Sequence, residues 1–245
     1  MDPCLSKRES HVYKDYFTEI IMEYAEDKDK IDVKTKLKNF WKWLWNSDSW
    51  LSYIVFLAIV FVFIKFIFLP GLGLIFGTSL PLAIVESSSM DHHSLQDMTS
   101  VISICGKTFS DSKSFNAEEY WQTCGSWYEQ NTNITQEQFS SFSFKNGFRK
   151  GDIMIIVKKK TIKIGDVLIF EAGSAHPIIH RVISLNPIQT KGDHNEAQLI
   201  PGNNNYGADE RNIQESKVLG TAVFKIPWLG WPKLFIVELW NKIVK

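Results

Sequence analysis

A mainly β domain tethered by one N-terminal transmembrane helix is the architecture that the sequence predicts. A helical extension precedes the anchor, and an interfacial helix closes the chain. Three observations carry this expectation. Residues 50–69, "WLSYIVFLAIVFVFIKFIFL", hold one charge in 20 residues, enough to cross a hydrocarbon core of about 30 Å. The runs "GDIMIIV", "GDVLIF", "IIHRVISL" and "VLGTAVF" are short and β-branched, with Gly-Asp, Asn-Pro and Gly-Asn turn signals between them. Nine tryptophans, most of them flanking apolar segments, are placed as interface anchors are.

Taken in order, residues 1–48 read as a charged helical extension, since "DYFTEIIMEYAED" spaces apolar residues three and four apart. Residues 49–69 are the anchor, with Lys65 near its end able to snorkel. The long charged segment before it excludes a cleavable leader. Lys34, Lys36, Lys38 and Lys42 crowd the N-terminal flank, while no lysine or arginine occurs from Phe66 to Gly106. That asymmetry predicts a single pass, with the N-terminus cytosolic and the domain after residue 70 extracytoplasmic. Residues 70–93 begin "PGLGLIFGTSLPLAIV", too rich in proline and glycine for a second span. They read as a membrane-hugging connection ending in a strand at Leu82–Val85. Residues 94–147 are polar with scattered aromatics and read as an inserted segment. Residues 148–226 form the β core. Residues 227–245, "PWLGWPKLFIVELWNKIVK", are too short and charged to span and read as an amphipathic helix in the interface.

The net charge is zero. Without a basic excess to displace counterions from phosphates, nucleic acid is not the expected partner. The three cysteines, Cys4, Cys105 and Cys124, contain no CxxC pair, so a thiolate zinc site is not expected. Cys105 and Cys124 lie on the predicted oxidising side, where a bridge between them is worth about 3 kcal/mol in the chain-entropy account. On the same side, Asn133-Ile134-Thr135 has the pattern of a glycosylation acceptor.

The candidate chemistry begins at "VESSSMDHHSL", residues 85–95, where serines follow the membrane-proximal strand. A serine hydroxyl becomes a nucleophile only when a base takes its proton. Five histidines lie beyond the anchor: His92, His93, His176, His180 and His194. His180 stands out within the apolar run "PIIHRVISL", where an imidazole needs a partner. His176 precedes a proline and belongs at the strand start. An orienting carboxylate would come from "TKGDHNEAQLIPGNNNYGADERNI", which offers Asp193 and Asp209.

The order of "PLAIVESSSM", "GFRKGDIMIIV", "GDVLIF", "HPIIHRVISL", "TKGDHN" and "VLGTAVFKIPWLGW" resembles type I signal peptidases of the archaeal and endoplasmic-reticulum kind. The resemblance covers roughly residues 65–232, interrupted by 94–147. It implies a signal-peptidase-like β fold for the catalytic domain. It also implies Ser89 as nucleophile, His180 as general base, Asp209 as the orienting acid with Asp193 supporting, and Ser87 as an oxyanion donor. The function implied is a membrane-bound serine endopeptidase, a hydrolase that cleaves after small residues to remove signal peptides during protein secretion. No cofactor or metal is implied. The partners implied are signal-peptide-bearing preproteins, the lipid bilayer and the secretion translocon, in a cell membrane or an endoplasmic-reticulum-like one. Two departures stand out: "SMDHH" lacks the proline of Ser-Met-x-Pro, and Ser88 replaces a common glycine.

Two rival readings remain. A catalytically inactive, membrane-anchored binding or scaffold subunit of the same fold would tolerate the altered "SMDHH". A metal site could draw on the five histidines, His176 and His180 having the spacing of helical ligands, but Pro177 and two isoleucines oppose a helix there.

Overall fold

The computed structural model describes residues 32–97, 100–173, 176–204 and 207–243. The motif "DYFTEIIMEYAED" lies outside the described residues. The chain divides into two compact units, residues 1–68 and 69–245.

In the first unit, helix α1 covers residues 32–46 and α2 covers Trp50–Phe63. The break between them is written in serines. Ser49 caps α2 by accepting from Leu51 N–H, and Ser52 Oγ donates to the carbonyls of Ser47 and Ser49. These bonds satisfy groups that a helix end leaves open. A π-helical turn, Ile64–Phe68, follows α2.

The second unit opens with α3, Leu69–Phe76, so the helix continues through Pro70 and Gly71, where the sequence predicted a connection. A proline ring presses on the carbonyl one turn back and has no N–H to give. The wider π turn just before Pro70 relieves both demands. Helical residues therefore run without interruption from Trp50 to Phe76, 27 residues whose most apolar 18-residue stretch has mean hydropathy 2.7 and is not buried. About 20 apolar residues suffice to cross a bilayer.

Six strands form an antiparallel sheet: β1 Leu82–Ile84, β5 Ile153–Val157, β6 Val167–Phe170, β7 Ile178–Leu185, β8 Ile188–Lys191 and β9 Val218–Ile226. Their spatial order is β1-β5-β9-β6-β7-β8, which makes β1 an edge. Successive side chains on a strand face opposite ways, and the core follows that rule. On β6, Val167 and Ile169 join Met154, Ile156, Phe148 and Met90 on one face. Leu168 and Phe170 join Val182, Ile188 and Ile213 on the other. Burial on both faces explains why "VLIF" is continuously apolar.

The segment 94–147 folds as a module. Its strands β2 Leu95–Gln96, β3 Ile102–Ile104 and β4 Lys107–Phe109 form a second, three-stranded sheet. Helix α4, Ala117–Asn131, starts in a capping box of Asn116 and Glu119. Helix α5, Gln136–Ser141, starts in one of Thr135 and Gln138. Cys105, in the β3–β4 turn, is disulfide-bonded to Cys124 on α4. The module's core of Tyr120, Trp121, Tyr128 and Phe139 closes over Ile183 of β7. At the C-terminus α6 spans Trp231–Ile243.

Candidate active site

Strand β1 delivers the serines. Past Ile84 the chain stays paired, Val85 N–H donating to Asp152 and its carbonyl accepting from Gly151 N–H, both at 2.9 Å. Met90 is buried, and its carbonyl accepts from Phe148 N–H at 3.0 Å. Between these two anchors, Ser87 to Ser89 turn outward toward solvent. Ser89 Oγ lies 3.1 Å from Ser87 Oγ. The Ser89 carbonyl is held by His194 N–H at 2.8 Å.

His180 stands in the middle of β7 opposite Leu168, almost wholly buried. Its Nδ1 is 2.5 Å from Glu210 Oε1. The same carboxylate accepts from Thr190 Oγ1 at 2.8 Å and from Leu199 N–H at 2.6 Å, and Glu210 is fully buried. A carboxylate at Nδ1 accepts a proton bond, which fixes the proton on Nδ1 and leaves a lone pair on Nε2. Gly192 shows where that lone pair is. A β-carbon built on Gly192 would meet His180 Nε2 and Asn195 Nδ2, each at 2.7 Å, and the Ser89 carbonyl oxygen at 2.8 Å. His180 Nε2, the Ser89 carbonyl and an amide side chain thus converge on one point, and only a residue without a side chain fits there.

The expectation that Asp209 faces His180 is corrected by this geometry. Asp209 points to the protein surface and pairs with Arg211, accepting from its Nε at 3.0 Å and its N–H at 3.1 Å. The Arg211 hydrogen bond holds the Asp209 carboxyl below its ordinary range. The backbone decides this: Glu210 N–H donates to the Leu199 carbonyl and the Glu210 carbonyl accepts from Thr190 N–H, which holds the Glu210 side chain inward against Thr190, Leu199 and His180 while Asp209 stays half-exposed. The signal available in the sequence is the acidic pair "DE" itself, whose second member, Glu210, is the one that reaches His180.

Asp193 is fully buried and serves a different centre. It accepts from Arg181 Nη2 at 2.7 Å, Arg181 Nε at 2.9 Å, His92 Nε2 at 2.9 Å and Tyr128 OH at 3.2 Å. Its carbonyl accepts from Tyr120 OH at 2.7 Å. Burial pushes its carboxyl up, but the Arg181 guanidinium and the His92 bond outweigh that and hold it far below the carboxylate range. Arg181 completes its bonding on the carbonyls of Ser143, Phe144 and Gly165. Lys191, also buried, donates to the carbonyls of Gly192 and Asn195 between the rings of Trp127 and Tyr128. Burial lowers its pKa to about 8. These contacts fix the segment Gly192–Asn195 against the Ser89 turn.

The remaining histidines scatter. His92 stacks on Tyr120 with ring centres 3.9 Å apart, and burial lowers its pKa. His93 Nδ1 pairs with Asp91 at 2.5 Å. His194 Nδ1 donates to the Asp91 carbonyl at 3.0 Å, and His176 is exposed 3.8 Å from Glu86. Among the described residues no group of three or more histidine, cysteine, aspartate or glutamate side chains is gathered to hold a metal ion.

No family model matches the chain. A signal peptidase complex catalytic subunit, SEC11, of Lachancea thermotolerans is 33% identical over 115 residues, covering 43% of this chain and 66% of the relative. The subunit of the same name from Komagataella phaffii is 29% identical over 116 residues, covering 43% of this chain and 67% of the relative. The match thus spans about two thirds of each relative. Over that stretch, this chain is a homologue of the catalytic subunits of signal peptidase complexes.

Proposed function

We propose that the chain is a membrane-anchored serine endopeptidase that removes N-terminal signal peptides from preproteins. One observation carries the reading: the Ser89 turn and a His180 ring oriented by a buried carboxylate meet over Gly192. In the resting arrangement Ser89 Oγ is paired with Ser87 Oγ. A rotation about the Ser89 side chain turns it toward His180 Nε2, which takes its proton as it attacks the scissile carbonyl. The oxyanion is then met by Ser87 Oγ–H and the backbone N–H of Ser89. The imidazolium gives its proton to the leaving amine, and the same ring activates water against the acyl-enzyme. Glu210 keeps the ring in the tautomer that accepts at Nε2. Asp193 is read as a scaffold for the 192–195 segment.

The edge position of β1 supports an extended substrate, whose backbone can pair with the unpaired side of that strand immediately before Ser87. The apolar helix Trp50–Phe76 and the exposed apolar side chains of α6 support attachment to a lipid bilayer. The Cys105–Cys124 disulfide supports an extracytoplasmic domain and a cytosolic N-terminus. The relatives are named as subunits of a signal peptidase complex, which supports assembly with further subunits.

The second reading, an inactive subunit of the same fold, is favoured by the engagement of Ser89 Oγ with Ser87. Cleavage of a preprotein in detergent by wild-type protein and by Ser89→Ala decides between them. The peptidase reading expects the substitution to remove at least about 10⁴-fold of the rate. Equal cleavage by both proteins overturns it.

A further inference from the structure

Apart from the Ser89–His180 pair, the second unit carries a cleft of about 460 Å³, within the range of about 300–1,000 Å³ typical of ligand pockets. Asp91, His93, Arg149, Asp152, Lys225 and Trp228 are among its lining residues. Two cations and two carboxylates balance formally, but they are not equally engaged. Asp152 accepts from the backbone N–H of Arg149 at 2.9 Å and of Trp228 at 3.2 Å. Asp91 takes His93 Nδ1, and His93 Nε2 in turn takes the Arg149 guanidinium. Lys225 Nζ spends one bond on the Gly147 carbonyl and lies 4.0 Å from Asp152. A guanidinium has five N–H donors and an ammonium three, so both cations keep donors to offer. What the lining can still bind is an anionic oxygen group.

Trp228 adds the second half of the ligand. It is 68% exposed and held at φ 62°, a left-handed backbone that a tryptophan adopts only under constraint. The Asp152 bond to its N–H fastens that turn, so the fold holds a strained residue with its indole outward at the cleft. An indole face attracts ammonium groups. Helix α6 lies alongside: Trp231 packs directly on Gly151, and Lys150 pairs with Glu238 at 2.6 Å. Its outward side chains include Phe235, Ile236, Trp240 and Ile243, each 65–70% exposed. A helix with such a face is suited to lie on hydrocarbon at the level of lipid headgroups.

We propose that this cleft binds the headgroup of a zwitterionic phospholipid, its phosphate on Arg149 and Lys225 and its ammonium over Trp228. The proposal rests on the bilayer attachment of α6, not on the peptidase chemistry. It has a consequence for that chemistry, because Asp91 lies two residues after Ser89 and an occupied cleft steadies the segment that leaves the nucleophile.

Native mass spectrometry of the full chain in detergent tests it, with phosphatidylcholine, phosphatidylglycerol or inorganic phosphate as the probe. The expected result is one phosphatidylcholine retained per chain, with affinity lowered at least 10-fold by Arg149→Gln plus Lys225→Gln and by Trp228→Ala. Ser89→Ala should bind like wild type, which separates this result from any failure of the peptidase reading. Equal retention by the variants overturns the proposal, as does equal affinity for phosphatidylglycerol. Displacement of the lipid by inorganic phosphate alone identifies a free-anion site, and displacement by a preprotein peptide a substrate site; either result also overturns it. Should the double variant fail to fold, the exposed Trp228→Ala carries the decision.

Discussion

Glu210 is one methylene longer than the neighbouring Asp209 that was expected to orient His180, and that length suits a carboxylate that reaches His180 Nδ1 while binding Thr190 and Leu199. Glu210→Gln keeps the shape but offers an amide where the ring needs an acceptor. Preprotein cleavage should fall about 10³–10⁴-fold, the loss seen when an orienting carboxylate is neutralised in comparable triads. Asp209→Asn should change the rate less than twofold, because its partner is the exposed Arg211. The reverse ranking in the same assay sinks the assignment. At this scale the sequence was legible where the residue type decides. Ser89 precedes a methionine after an apolar strand, and a histidine inside "PIIHRVISL" has little reason to be there without a partner. Glu210 was illegible because its inward direction depends on pairing with Thr190 and Leu199, contacts 20 and 11 residues away in sequence.

Among the elements, the inserted module has a mechanical task that its polar composition concealed. Helix α4 sends Tyr120 and Tyr128 onto Asp193, and the disulfide secures α4 to the β3–β4 turn. Cys105 N–H also donates to the His194 carbonyl at 2.8 Å, while His194 N–H holds the Ser89 carbonyl. Cys105→Ser with Cys124→Ser should therefore lower stability by about 3 kcal/mol and slow cleavage as well. Thermal unfolding and the preprotein assay measure the two effects, and an unchanged melt argues that the bridge constrains nothing. The short β-branched runs were readable, most plainly β6, where burial on both faces demands continuous apolar character. Strands β2 to β4 were not, since two or three residues carry no measurable period. The passage of helix through Pro70 was hidden too, because the π turn that permits it leaves no mark in composition.

Across the whole molecule, the ionisable groups His92, His194, Asp193 and Lys191 point one way. Burial lowers the pKa of His92 and His194 below their ordinary 6.5, so the unfolded chain binds protons that the folded one refuses. Their stabilisation is complete above 6.5 and is lost as the pH falls below it. Asp193, held low by Arg181 and His92, adds a further loss once the pH drops through the carboxylate range. Lys191, lowered to about 8, is relieved as the pH rises from there toward 10.5, so its contribution also grows with pH. The melting temperature in detergent should therefore climb from pH 5 to pH 9, and Asp193→Asn should flatten the further fall below the ordinary aspartate value of 3.8. A maximum at pH 5 contradicts this account. The long apolar helix, the sheet and the C-terminal helix were visible in patterning, because apolar length and strand burial act on whole segments. The Arg181–Asp193–His92 cluster was not, since it assembles three distant stretches through side-chain bonds alone.

The tie between Cys105, His194 and Ser89 has a practical corollary. A recombinant host that makes this chain in its reducing cytosol withholds the bridge, and with it one of the props behind the Ser89 turn. Material for enzymology should be directed to a periplasm or a secretory lumen, where the two thiols can oxidise before purification.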